Sequence, residues 1–246
     1  MFEKNAIFAT QFLKTYEMTK KNAPQQNNLK DIESALTRTE QFIEDNQKLI
    51  IYVIGAIVMV VVVYLGMSKF IIQPRQNDAQ SQMFMAESYF EKDSFNLALN
   101  GDGNYIGFLD IIDDYGMTKS AKLASYYAGI SYLRLGEYEN AIKYLGRFKT
   151  KDILLGPVKE GSMGDAYLQL GDQDKALRQY TRAADISDNE FTTPIYLMKA
   201  ANLLEMQGNL PKALEMYKRI KTTYPETNEG RNVEIYIARV STLMKN

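Results

Sequence analysis

Three glycines, Gly136, Gly171 and Gly208, stand 35 and 37 residues apart, and the residues around them recur at fixed offsets. Five positions after each comes an alanine: Ala141, Ala176 or Ala213. Nine after comes Leu145, Tyr180 or Tyr217. Four before comes Tyr132, Tyr167 or Leu204, and seven before comes Gly129, Gly164 or Ala201. A period of this length marks units too small to bury an apolar face alone, which must therefore stack on their neighbours. The glycine supplies a left-handed turn at the end of a first helix. The small residue before it and the alanine after it let two antiparallel helices approach closely. Large Tyr or Leu side chains are expected to fill the gap between successive pairs. Residues 118–228 thus read as three helix pairs of an all-α fold.

A degenerate fourth copy precedes them over 77–117. In AESYFEKDSFNLAL, Ala86, Tyr89, Asp93 and Ala98 occupy the small, wedge, turn and alanine positions. Its second helix is broken by GDGNY, Gly101 to Tyr105, and resumes as IGFLDIIDDYG. The alternating oxygen donors Asn100, Asp102 and Asn104 suggest a calcium loop. However, Tyr105 replaces the glycine such a loop needs and Ile111 its bidentate Glu, so a plain turn is expected. Asp110, Asp113 and Asp114 read as the solvated face of a short helix. Residues 229–246 read as a capping helix, with Val233, Ile237, Val240 and Leu243 inward and Arg231, Glu234 and Arg239 on other faces.

Upstream of the repeats, Leu49 to Met67 runs without a charge. At 1.5 Å per residue it covers about 28 Å, close to the hydrocarbon thickness of a bilayer. A transmembrane helix is expected over 49–72, with Pro74 in a bend or first turn beyond it. The run lies too far from the start for a signal peptide, and no small-residue cleavage site follows. Residues 31–48 read as an amphipathic helix leading into it, and 1–30 as a flexible tail. Lys30, Arg38 and Lys48 before the span against Lys69 and Arg75 after it favour the N-terminus inside.

Composition narrows the chemistry. The 246 residues contain no Cys and no His, which removes thiolate nucleophiles, histidine bases and Ser-His-Asp triads. Residues 73–246 carry 21 Lys and Arg against 23 Asp and Glu, not the concentrated positive field of a nucleic-acid binder. No phosphate loop is present, and no constellation of Lys, Ser, Tyr or carboxylates stands out. A non-enzyme is expected, with no cofactor, no metal, no small-molecule substrate and no nucleic acid.

The segments GISYLRLGEYENAIKYL, GDAYLQLGDQDKALRQY and ANLLEMQGNLPKALEMY resemble tetratricopeptide repeats, and Pro225 falls where that family often closes a repeat. The resemblance implies a right-handed helical solenoid whose first helices line a concave groove. Carried over position by position, the groove comprises Tyr126, Ile130, Leu133 and Arg134, then Gly161, Asp165, Leu168 and Gln169, then Met198, Asn202, Glu205 and Met206. That mixture suits an extended or helical polypeptide held by apolar anchors. Together with the single span and its lead-in, residues 31–246 resemble the YfgM-type family, ancillary subunits of the Sec translocon. This second resemblance implies a bacterial inner-membrane protein with a cytoplasmic N-terminus and periplasmic repeats. Its implied partners are translocon subunits, a membrane-anchored chaperone and emerging polypeptides. The alternative is a transmembrane-anchored scaffold for outer-membrane assembly or another secretion complex.

Overall fold

The computed structural model describes residues 25–245, with side chains from Phe42 onward. The expected tail over 1–30 lies mostly outside the described residues. Its last six belong to helix α1, Gln25–Met67. After Pro24 the sequence holds no Gly or Pro until Gly55, so nothing local stops a helix from starting there. The chain divides into two units at Gly66 and Met67. In the first, every residue from Ile51 to Leu65 is exposed. Each Val, Leu or Ile so exposed forgoes roughly 1.5–3 kcal/mol of burial. By length and composition, this helix can cross a membrane.

The second unit opens with a π-helical turn, Ser68–Ile72, inside the stretch expected to be transmembrane. Helix α2, Gln73–Glu91, follows with Pro74 in its first turn, where the missing N–H costs nothing. Then come α3 (Phe95–Asn100), α4 (Phe108–Asp114), α5 (Lys119–Arg134), α6 (Tyr138–Arg147), α7 (Leu155–Gln169), α8 (Gln173–Asp185), α9 (Thr193–Met206), α10 (Leu210–Thr223) and α11 (Asn228–Leu243). The pairs α5/α6, α7/α8 and α9/α10 are the three repeats.

Their turns are built alike. Gly136, Gly171 and Gly208 have φ of +79°, +80° and +75°. Each donates its N–H to the carbonyl three residues back, and the next residue donates to the carbonyl four before the glycine, as in Glu137 to Tyr132 at 2.9 Å and Asn209 to Leu204 at 2.8 Å. These two bonds satisfy carbonyls that the helix end leaves open. The degenerate copy repeats the pattern with Asp93 at φ +55°, donating to Phe90, and Ser94 donating to Tyr89. An aspartate pays for a left-handed conformation that glycine adopts freely. Asp93→Gly should therefore raise stability by about 0.5–1 kcal/mol, read as a higher urea midpoint with an unchanged slope.

Ala141, Ala176 and Ala213 are fully buried between the paired helices. The large residues pack both ways: Tyr180 and Tyr217 reach the next helices, with the Lys199 ammonium 5.5 Å from the Tyr180 ring and the Tyr236 ring 5.4 Å from that of Tyr217, and they also press on the small residue of their own pair. A Cβ added to Gly129 would lie 2.5 Å from Leu145 Cγ, and one added to Gly164 would lie 2.6 Å from the Tyr180 ring. The small residue is required by the side chain nine positions past the turn.

The first copy has its own core. Phe108 and Ile111 are fully buried, and Tyr127 stacks on Phe108 at 5.1 Å while meeting Phe90 edge-on at 5.0 Å. Helix α2 also caps α5: Gln76 Oε1 accepts from the N–H groups of Lys119 (2.6 Å) and Ser120 (3.2 Å). The GDGNY break is an Asp turn. Asp102 Oδ1 accepts from the Asn104 and Tyr105 N–H groups at 2.9 Å each, and Oδ2 from the Tyr89 hydroxyl at 2.8 Å. These donors, the Tyr105 N–H foremost, hold the Asp102 carboxyl below its ordinary range. At the far end α11 buries Val233 and Val240 against the last repeat. Leu243 is half exposed rather than inward, and Ile235 is 70% exposed on a face expected to be polar.

Candidate functional site

A helix returns to the same face every three to four residues, so Tyr126, Ile130, Leu133 and Arg134 form one stripe on α5. Val158, Ser162, Asp165 and Gln169 form the matching stripe on α7, with Leu168 beside it. These nine residues, with Tyr138 at the start of α6 and Lys199 on α9, line a cavity of about 590 Å³. Its walls are apolar at Ile130, Leu133, Val158 and Leu168 and aromatic at the two tyrosines. Burial pushes the Tyr126 hydroxyl above its ordinary pKa.

Seven of the twelve groove positions carried over from sequence meet in this cavity. Asp165 is a shared acceptor there. It takes the Tyr180 hydroxyl at 2.7 Å and the Lys199 ammonium on both oxygens at 2.6 and 2.8 Å. The corresponding site in the last repeat is tied up similarly. Tyr217 donates to Asn202 at 2.6 Å and to Glu205 at 3.0 Å. Arg239 grips both Glu205 oxygens at 2.8 Å, a bidentate pair that is the main reason the Glu205 carboxyl is held below its ordinary range.

Of the remaining five, Met198, Asn202, Glu205 and Met206 lie outside the cavity because they stand on α9, beyond its α5 and α7 walls. Met198 packs against the core of the last repeats. The polar pair is committed to Tyr217 and Arg239, and Met206 stands 74% exposed. Gly161 requires a correction of another kind: it is buried, and a Cβ there would fall 1.9 Å from the Tyr196 ring of the next repeat. It seats a neighbour instead of lining a groove.

Sequence reasoning missed Tyr138, Val158, Ser162 and Lys199. Val158 and Ser162 share the helical register of Asp165, and Lys199 stands 34 residues after Asp165, so opposite charges one repeat apart were a usable signal. A second signal links the turn's two sides. Where the residue nine after the glycine is tyrosine, the residue six before it is Asp165 or Asn202, and where it is Leu145 the partner position is Ile130. A buried phenol needs an acceptor and a buried leucine does not. Tyr217→Phe should therefore cost about 1 kcal/mol in urea unfolding, with the helical circular-dichroism spectrum preserved.

Residues 123–152 and 162–226 each match a model of the tetratricopeptide repeat. Two solved structures of the nearly identical TPR-like repeats of a Podosopora anserina protein named for kinesin light chain, one of them a point variant, share the fold. Both superpose with a TM-score of 0.52 at 13% identity. They cover 68% of this chain and 86% and 87% of their own. No curated protein matches the sequence significantly.

Proposed function

From a chain whose second unit is an all-helical solenoid carrying tetratricopeptide repeats, and hence an interaction module for other proteins, we propose a membrane-held receptor for polypeptides. Residues 49–72 anchor it in a bacterial inner membrane, with the N-terminus cytoplasmic and the repeats periplasmic. There it serves as an ancillary, non-catalytic subunit of the Sec translocon. It assists secretory or envelope chains as they emerge and works beside a membrane-anchored chaperone.

The observation that carries this reading is the cavity between α5 and α7. Apolar side chains form its walls, while hydroxyl, amide and charged groups stand ready for a peptide backbone. The exposed apolar helix supports the anchor, since its side chains from Ile51 to Leu65 have no protein cover within the first unit. Tethering raises the local concentration of the repeats near any membrane-embedded partner, so a weak groove suffices.

Protease added to spheroplasts tests the placement. Residues 77–246 should be digested while the N-terminal segment survives. Protection of the repeats with cleavage before residue 48 would reverse the orientation, and recovery of the intact chain in the soluble fraction would remove the anchor.

A further inference from the structure

The charges around the groove are unequally committed. Two cations line the cavity, Arg134 and Lys199, and a third, Arg239, stands on α11 beside the last repeat. Lys199 is held by both oxygens of Asp165, and Arg239 by both oxygens of Glu205. Arg134 is exposed and pairs with no carboxylate among the described residues. It lines the cavity together with Ile130, Leu133, Val158 and Leu168. The cavity therefore carries one positive charge without a carboxylate partner, on an otherwise neutral wall of mixed apolar and polar side chains.

Resting on the peptide-groove reading above, we propose that the occupant is an extended segment of another polypeptide with two or three apolar side chains and a nearby Asp or Glu. The apolar residues fill the α5/α7 cavity, and the carboxylate meets the Arg134 guanidinium. A volume of about 590 Å³ takes a few side chains, not a folded domain. Hydrogen-bonding groups at Ser162, Gln169 and Tyr138 suit the amides of a peptide backbone better than the bare chain of a lipid. Arg134 sets preference through charge complementarity, and the apolar wall sets affinity. The polar positions of the last repeat, Asn202 and Glu205, are already satisfied within the protein, so the selective contact falls at α5 and α7.

The test uses the full chain in lipid nanodiscs and fluorescence anisotropy. The probes are end-blocked nonapeptide pools with Leu, Ile, Val or Phe at three alternate positions and Asp, Asn or Lys at a fourth. Expected is binding in the order Asp, Asn, Lys, with about three- to tenfold between the first two, narrowing as salt is raised. Arg134→Glu lies on the surface and should fold normally, and it should reverse the order. Equal binding of the three pools, lost in Leu133→Ser and Leu168→Ser, would overturn the charge preference while leaving the groove reading standing. No binding by any pool, or binding indifferent to both Leu variants, would overturn both. Binding of anionic lipid vesicles, competed away by none of the pools, would likewise displace the peptide as occupant.

Discussion

Gly107→Ala is expected to cost at least about 3 kcal/mol and to melt the first helix pair ahead of the rest. Gly107 has an ordinary extended conformation, φ −91° and ψ 178°, so the cost is purely steric. A Cβ there would lie 2.1 Å from the Leu99 carbonyl oxygen, 2.4 Å from its carbon and 2.5 Å from the Asn100 nitrogen. All three atoms are backbone, and no rotamer change can clear them. The chain can yield only by lifting α4 off α3, which exposes Phe108 and Ile111, both fully buried. Gly146 is the control. It lies in α6 with no neighbour within 4 Å of an added Cβ, so Gly146→Ala should gain about 0.5–1 kcal/mol from helix propensity alone. Urea unfolding of both variants checks the contrast.

Alkaline solution should unfold the repeats with unusual steepness. Burial, reinforced at Tyr180 and Tyr217 by bonds to Asp165 and Glu205, raises the hydroxyl pKa values of Tyr180, Tyr196 and Tyr217 well above their ordinary range. A pKa raised in the fold means that the neutral phenol is favoured there. This stability is fully present below the unfolded value near 10 and is lost as pH rises from there toward the folded values. Each tyrosine kept neutral costs the fold about 1.4 kcal/mol per pH unit above about 10. Three of them reach roughly 6 kcal/mol by about pH 11.5, comparable with the whole stability of a domain. Tyrosinate absorbance and helical circular dichroism should change together in one transition. Phe at positions 180 and 217 should flatten it.

The repeat was legible because its signals are local. A turn glycine, a small residue and an alanine obey spacing rules that one helix pair imposes on itself, and the four turns close with the same two hydrogen bonds. Contacts that cross from one pair to the next were harder to read. Gly161 shares the register of groove residues, yet it is filled by Tyr196 from α9, and only the stacking of pairs decides that. Asn202 and Glu205 look free in sequence because Tyr217 and Arg239, which consume them, stand 15 and 34 residues away. Lys199 was overlooked for the same reason: its partner Asp165 lies a full repeat back. The insertion at Gly101 to Tyr105 was visible as a break, but the close crossing it allows at Gly107 depends on two backbones meeting in space.

We propose that the α5/α7 groove receives polypeptides at the translocon. Photo-crosslinking amino acids placed singly at Tyr126, Arg134 and Gln169, with exposed Glu139 on α6 as an off-groove control, test it in intact cells. Expected are adducts with Sec channel subunits or with secretory chains caught during export, formed from the three groove positions and absent from the control. Adducts confined to outer-membrane assembly components, or formed equally from Glu139, would contradict it.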